Sequence, residues 1–270
     1  MRRKHVKTSK IVLLIITIIV FFFLILPILV VIPLSFGSAD YLQFPPTGFS
    51  LRWYDAFLSA PKWVTGLIHS IEIAIVATVA ALILGTLAAF GIIKLKGGVR
   101  STFYTFFISP MVIPAIVMAV AAYFFFARIG ILRTVPSLMI THTVIGIPYV
   151  ITNVVAALQG YDRTLERAAA SMGANPIVTF LKVTLPCIRP GMFSGALFAF
   201  VTSFDEVIIS KFIAPTGYKT LPVLMFENIK NEYSPILAAI ATVFILIVSI
   251  ILVSTQLASN RRLTKRGQLK

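Results

Sequence analysis

The chain has 270 residues, 58% hydrophobic and 12% charged, with a mean hydropathy of +0.96; soluble domains carry about 25% charged residues, so the composition excludes an ordinary water-soluble globule. The net charge of +15, from 24 Lys and Arg against 9 Asp and Glu, sits at the edges of apolar runs. That placement makes it a topology and lipid-headgroup signal rather than a nucleic-acid footprint. The lone cysteine, Cys187, excludes an internal disulfide and any multi-cysteine metal site.

After a basic N-terminus over 1–10, uncharged stretches run from Ile11 to Ala39, Ile73 to Ile93, Ser101 to Ala127, Thr134 to Tyr161 and Tyr233 to Asn260. Crossing about 30 Å of hydrocarbon takes about 20 helical residues, and each stretch has that length. A sixth, Gly191 to Ile213, is apolar to Phe204 and is then interrupted by Asp205, Glu206 and Lys211. The pattern predicts an all-α integral membrane protein with one transmembrane domain over 11–258, a basic tail over 259–270, and six spans near 11–33, 67–93, 102–127, 134–158, 191–213 and 235–257. The first run exceeds the about 7–15 residues of a signal-peptide core and reads as a retained anchor.

With six spans the termini share a side, and that side holds 17 of the 24 basic residues, from Arg2 and Arg3 through Lys94, Lys96, Arg100, Arg163, Arg167, Lys182 and Arg189 to the tail. The positive excess places both termini in the cytoplasm. On the outer side, Gly37 to Gly66 is expected to hold a short amphipathic segment, with Trp53 and Trp63 as interface anchors. Ala214 to Ser234 reads as turn, short helix and turn around Gly217.

On the inner side, Lys94 to Arg100 is tight, whereas 159–190 is long and patterned. In YDRTLERAAASMGANPIVTF, Asp162 and Thr164 are possible N-caps. Leu165, Ala168, Ala169 and Met172 share one helical face, and Gly173 suits a left-handed C-cap. A second short helix starts after Asn175-Pro176 and is expected to end at TLPCIRPG. Small residues from Ala168 to Gly173 let a partner backbone approach closely; a solvated linker is the bland alternative.

Within the spans, Ala81, Gly85 and Ala89 have the spacing of close helix packing. Pro110, Pro114, Pro136 and Pro148 read as helix kinks. His142 reads as a hydrogen-bonded structural residue, and Glu72 as an acid able to pair with His69 or reach water. Asp205 and Glu206 lie about 14 residues, roughly 21 Å of helical rise, into the fifth span. Two adjacent acids at such depth need water, a partner or a function. With Thr202 on the same stripe they are candidates to line a path for a cationic solute; the structural alternatives are neutralisation by Lys211 or by an Arg of a partner subunit, or a position at the water interface.

RAAASMGANPIVTFLKVTLP resembles the cytoplasmic loop of the membrane subunits of ABC importers, whose pattern is Glu-Ala-Ala, three residues, Gly, nine residues, then Ile, any residue, Leu and Pro. Ala168, Ala169, Gly173, Leu185 and Pro186 match, Val183 replaces the Ile, and Arg167 occupies the Glu position with Glu166 just before it. SFDEVIISKFIAPTGYKTLPVLMFENIKNEYSPILAA is similar to permeases of the spermidine/putrescine type. The resemblance implies a type I importer permease (MetI-like) fold in a bacterial inner membrane and ATP-driven uptake of polyamines by alternating access. It implies two ATP-binding subunits, which carry ATP and Mg, a second permease as a distinct paralogue, and an extracytoplasmic substrate-binding protein. The coupling loop it implies comprises Glu166, Arg167, Ala168, Ala169, Gly173, Ala174, Val183, Leu185 and Pro186. The chain has no Gly-x-x-x-x-Gly-Lys-Ser/Thr run, zinc motif or nucleophile elbow, so no catalysis, cofactor or metal is expected of it. An ion-gradient carrier, or an importer of another small solute such as an opine or phosphonate, is the competing reading.

Overall fold

The computed structural model describes residues 2–231, 234–247 and 249–250. Helices follow in the order α1 (Arg2–Ser35), α2 (Arg52–Ser59), α3 (Pro61–Lys94), α4 (Gly97–Ile108), α5 (Ala115–Arg128), α6 (Val135–Gln159), α7 (Thr164–Ser171), α8 (Pro176–Thr179), α9 (Leu185–Phe204), α10 (Ile208–Ile213), α11 (Leu221–Asn231) and α12 (Ile236–Ile247). The fold is all-helical, with one isolated bridge, Gly37 to Phe49, among the described residues. Two compact units are formed, one from Thr65–Phe226 and the other from Met1–Val64 with Glu227–Lys270.

In the second unit, α1 has a basic start over 2–10 and is apolar on every side from Ile11 to Leu29, where large side chains are exposed, Phe23 at 73%, as suits a helix whose solvent is lipid. Its end is tied down by Ser35 Oγ and Tyr54 Oη, 2.6 Å apart, and by the Trp53 indole donating to the Gly37 carbonyl at 3.0 Å. Arg52 bridges to Asp40 at 2.7 Å. The expected short segment on this loop is α2, with Phe57 buried. Trp63 is 2% exposed, so it is a packed residue and not the interface anchor expected. The first part of the expected sixth span, 235–257, is α12; its last residues and the expected tail 259–270 lie outside the described residues.

In the Thr65–Phe226 unit, α6 is the central helix and packs most extensively on α9. Ala81, Ala89, Val150, Val154, Leu158, Ile188 and Ala199 form one core of α3, α6 and α9. Ile73, Ala119, Phe126, Leu138, Ile209 and Ile213 form another of α3, α5, α6 and α10. The small-residue spacing in α3 does what it predicts: a Cβ on Gly85 would stand 2.8 Å from Val150, and one on Gly195 of α9 would stand 2.9 Å from the Val150 Cα. The threonine hydroxyls of α6 are satisfied within the helix, Thr141 donating to Ser137 O and Thr143 to Met139 O, each at 2.8 Å, so these side chains cost little in an apolar setting.

Two expected spans are corrected. The third, 102–127, is not a kinked helix: α4 and a 3-10 turn, Ser109–Met111, meet α5 at 96°. Pro114 has no N–H, and Val112 and Ile113 both donate back to the Ser109 carbonyl, so the helical ladder stops there. The fifth, 191–213, starts earlier and ends earlier. An unbroken helical run, Pro176–Phe204, passes through a π-helical turn, Phe180–Thr184, and stops before Asp205. The helix after Asn175 therefore does not end at TLPCIRPG. Pro186 falls in the first turn after the wider π turn, where a missing N–H is tolerated. By length and apolarity, α3, α6, Pro176–Phe204 and the Lys10–Ser35 part of α1 can each cross a membrane, and the bent pair makes a fifth.

Candidate functional site

The loop 159–190 is held by its own hydrogen bonds. Asp162 accepts from the Thr164 N–H at 2.9 Å, and the Thr164 side chain and N–H together hold this carboxyl below the usual carboxylate range. α7 ends in a Schellman turn: Gly173, at φ +85°, donates to Ala170 O at 3.0 Å, and Ala174 donates to Ala169 O at 3.1 Å. Asn175 accepts from the Val178 N–H at 2.8 Å and caps α8, with Pro176 in its first turn. Thr184, buried in the π turn, donates to Glu166 Oε1 at 2.6 Å. Glu166 thereby clamps α7 to the base of α9, across 18 residues of sequence. Burial pushes the neighbouring Tyr161 phenol up.

This folding divides the expected loop residues into two groups. Ala169 is buried at 5%, and Glu166, Ala174, Val183 and Leu185 are half-buried, so they build the loop. Arg167, Ala168, Gly173 and Pro186 are exposed. Beside them stand Met172 at 83% and Ile177 at 71%, two large apolar side chains open to a partner. Ile177 went unnoticed in sequence because helix periodicity restarts at Asn175.

The acids at the α9 break separate. Asp205 ends α9 and is exposed, and Thr202 is half-exposed. Glu206 turns inward, its two carboxylate oxygens accepting from the Ile209 N–H at 2.8 Å and the Ser210 N–H at 2.9 Å. It caps α10 and starts the chain on a new helix. His142 of α6 is fully buried beside it: Nδ1 lies 2.8 Å from Ser203 Oγ, Nε2 lies 3.2 Å from Ser210 Oγ and 4.0 Å from Glu206 Oε2. The structural reading of His142 holds, with the addition that its imidazole joins α6 to both sides of the break. Lys211 Nζ stands 5.2 Å over the Phe226 ring.

About three turns into α3, Glu72 does not pair with His69. Its carboxylate accepts from Tyr218 Oη at 2.9 Å, while His69 stacks on the Tyr218 ring at 3.7 Å with Nδ1 3.1 Å from the Lys219 carbonyl. Burial and then the Glu72 contact push the Tyr218 phenol above its usual range.

This helical core and loop coincide with known proteins. The chain is 30% identical over 236 residues to the spermidine/putrescine transport system permease protein of Haemophilus influenzae, covering 87% of this chain and 91% of that one. It is 30% identical over 232 residues to the putrescine transport system permease protein of Escherichia coli K12, covering 83% and 82%. It superposes at a TM-score of 0.69, with 18% identity and 93% and 96% of the two chains covered, on a chain of a bacterial ABC transporter involved in import of the acidic polysaccharide alginate. Residues 81–265, from the middle of α3 to the tail and including the Gly173 turn, the π turn and the α9 break, fit the family model, and the chain belongs to the binding-protein-dependent transport system inner membrane components.

Proposed function

We propose that the chain is one transmembrane permease subunit of an ATP-driven importer of spermidine, putrescine or a related small cationic solute. The observation that carries the substrate is the 30% identity, across nearly the whole length, to permeases named for these two amines. Six spans place both termini in the cytoplasm of a bacterial cell, with a distinct permease paralogue alongside, two ATP-binding subunits below and a substrate-binding protein outside. ATP and Mg belong to the partner subunits; this chain binds no cofactor and hydrolyses nothing.

The loop 159–190 receives the motion of the ATPase. Its Schellman turn and its Glu166 to Thr184 bond make it a rigid body, and its second helix runs without interruption into α9. A push on Met172 and Ile177 is then a push on α9 and, through Gly195, on α6. At the far end of α9, Asp205 and Thr202 face the path and Glu206 holds the break that presents them. One exposed carboxylate attracts a polyamine without trapping it, since a pair buried together would bind too tightly to release.

The test is uptake of labelled spermidine into liposomes holding both permeases, the ATPase and the binding protein. ATP-dependent uptake that disappears without the binding protein supports the reading. Uptake by this chain alone under an ion gradient, or preference for an uncharged solute, overturns it.

A further inference from the structure

A second polar feature lies away from the loop and the break. Between the start of α4 and the last turns of α6 is a cavity of about 360 Å³ lined by Gly97, Arg100, Ser101, Tyr104, Thr152 and Gln159 among others. On α4, positions 97, 100, 101 and 104 form one helical stripe, so the guanidinium, a hydroxyl and a phenol are presented together. Among the described residues, the side chains of Arg100, Ser101, Tyr104 and Gln159 make no hydrogen bond and Arg100 makes no ion pair, and no carboxylate lines the cavity. The first N–H groups of α4 open beside it without a capping side chain, and a Cβ added at Gly97 or Gly98 would meet nothing within 4 Å. Thr152 spends its proton on the Pro148 carbonyl at 3.0 Å.

Such a set offers donors and one fixed positive charge, which is the complement of a phosphate and repels a polyamine cargo. Arg presents its donors as a fork that matches phosphate oxygens, and basic pockets between membrane helices on the cytoplasmic side hold anionic headgroups. We propose that this cavity holds the phosphodiester of an anionic phospholipid from the cytoplasmic leaflet, with Arg100 on the phosphate and Ser101, Tyr104 and Gln159 around it. The proposal rests on the orientation given above, which puts Lys94 to Arg100 at the cytoplasmic face. Bound there, the lipid ties α4 to the end of α6 where the coupling loop departs.

The experiment uses the full complex in phosphatidylcholine nanodiscs to which phosphatidylglycerol is added, with retained lipid counted by native mass spectrometry. The wild type is expected to retain phosphatidylglycerol over phosphatidylcholine. Arg100→Gln is expected to lower that retention about tenfold or more, and Ser101→Trp to abolish it by filling the cavity. Equal retention of the two lipids by wild type, or unchanged retention in both variants, overturns the proposal. Retention of inorganic phosphate at millimolar concentration in place of the lipid assigns the site to a soluble anion and also overturns it, as does loss of ATPase subunit from Arg100→Gln with lipid retention intact. Orientation is read separately, by labelling Lys96→Cys with an impermeant maleimide in spheroplasts. Labelling from outside overturns the orientation and with it the assignment to the cytoplasmic leaflet, whereas the lipid count alone decides whether the cavity holds an anionic lipid.

Discussion

The imidazole of His142, with no exposed surface, stands 4.0 Å from the carboxylate of Glu206 and within hydrogen-bond reach of Ser203 and Ser210 on either side of the α9 break. One side chain of the central helix therefore fixes where α9 ends and α10 begins. His142→Ala leaves two hydroxyls without their partner, at a cost of about 1–3 kcal/mol. The expected outcome is a lower thermal midpoint of the detergent-solubilised complex together with loss of uptake; an unchanged midpoint would show that the contact does not hold the break.

Asp205 and Glu206 are expected to respond differently. Glu206→Ala removes the acceptor of two N–H groups and costs about 0.5–2 kcal/mol, with Glu206→Gln milder because one oxygen remains. Asp205→Asn alters an exposed charge and should leave the thermal midpoint in place while raising the polyamine concentration needed for half-maximal uptake. Normal uptake kinetics in Asp205→Asn at normal protein level would remove Asp205 from the path.

In the loop, Gly173→Val forces a branched side chain into a left-handed turn and costs at least about 1 kcal/mol. Ala169→Glu puts a charge inside the loop's own packing, so it destabilises the loop rather than only its outer face. The outer face is tested by Met172→Ser with Ile177→Ser, which touch no internal bond. Co-purification of the ATPase subunit should fall about tenfold or more, since each buried apolar side chain is worth about 1.5–3 kcal/mol, while membrane insertion persists. Full ATPase recovery in the double variant would make the loop a linker.

Helix spacing supplies a fourth comparison. Gly195→Leu must displace the α6 backbone, whose Val150 Cα would lie 2.9 Å from the new Cβ, whereas Gly91→Ala meets nothing within 4 Å. The first should abolish a folded, monodisperse product in size-exclusion chromatography, and the second should elute as wild type. Equal profiles would mean that α6 and α9 do not depend on this approach.

Apolar runs, the Asn175-Pro176 start, the left-handed Gly173 and the small-residue stripe of α3 were legible because each is a local rule of backbone or solvent. The 96° break was not, since Pro110 and Pro114 are equally compatible with a kink, and only the return of two N–H groups to Ser109 decides between them. The burial of Ala169 beside exposed Ala168 depends on which way α7 faces, and that is set by Glu166 bonding a threonine 18 residues away. Glu72 found Tyr218, 146 residues along the chain, instead of His69. Such long-range pairing leaves no trace in local periodicity.

The break between α4 and α5 also bears on the life of the chain before assembly. Val112, at its apex, is 81% exposed, and the helical ladder is open around it. Irregular backbone facing lipid is not tolerated in the hydrocarbon region, so a newly made copy carries a surface that only protein or an internal aqueous cavity can shelter. A copy made without the other proposed subunits is therefore expected to turn over faster than one made with them, a difference that pulse-chase labelling of the two kinds of cell measures.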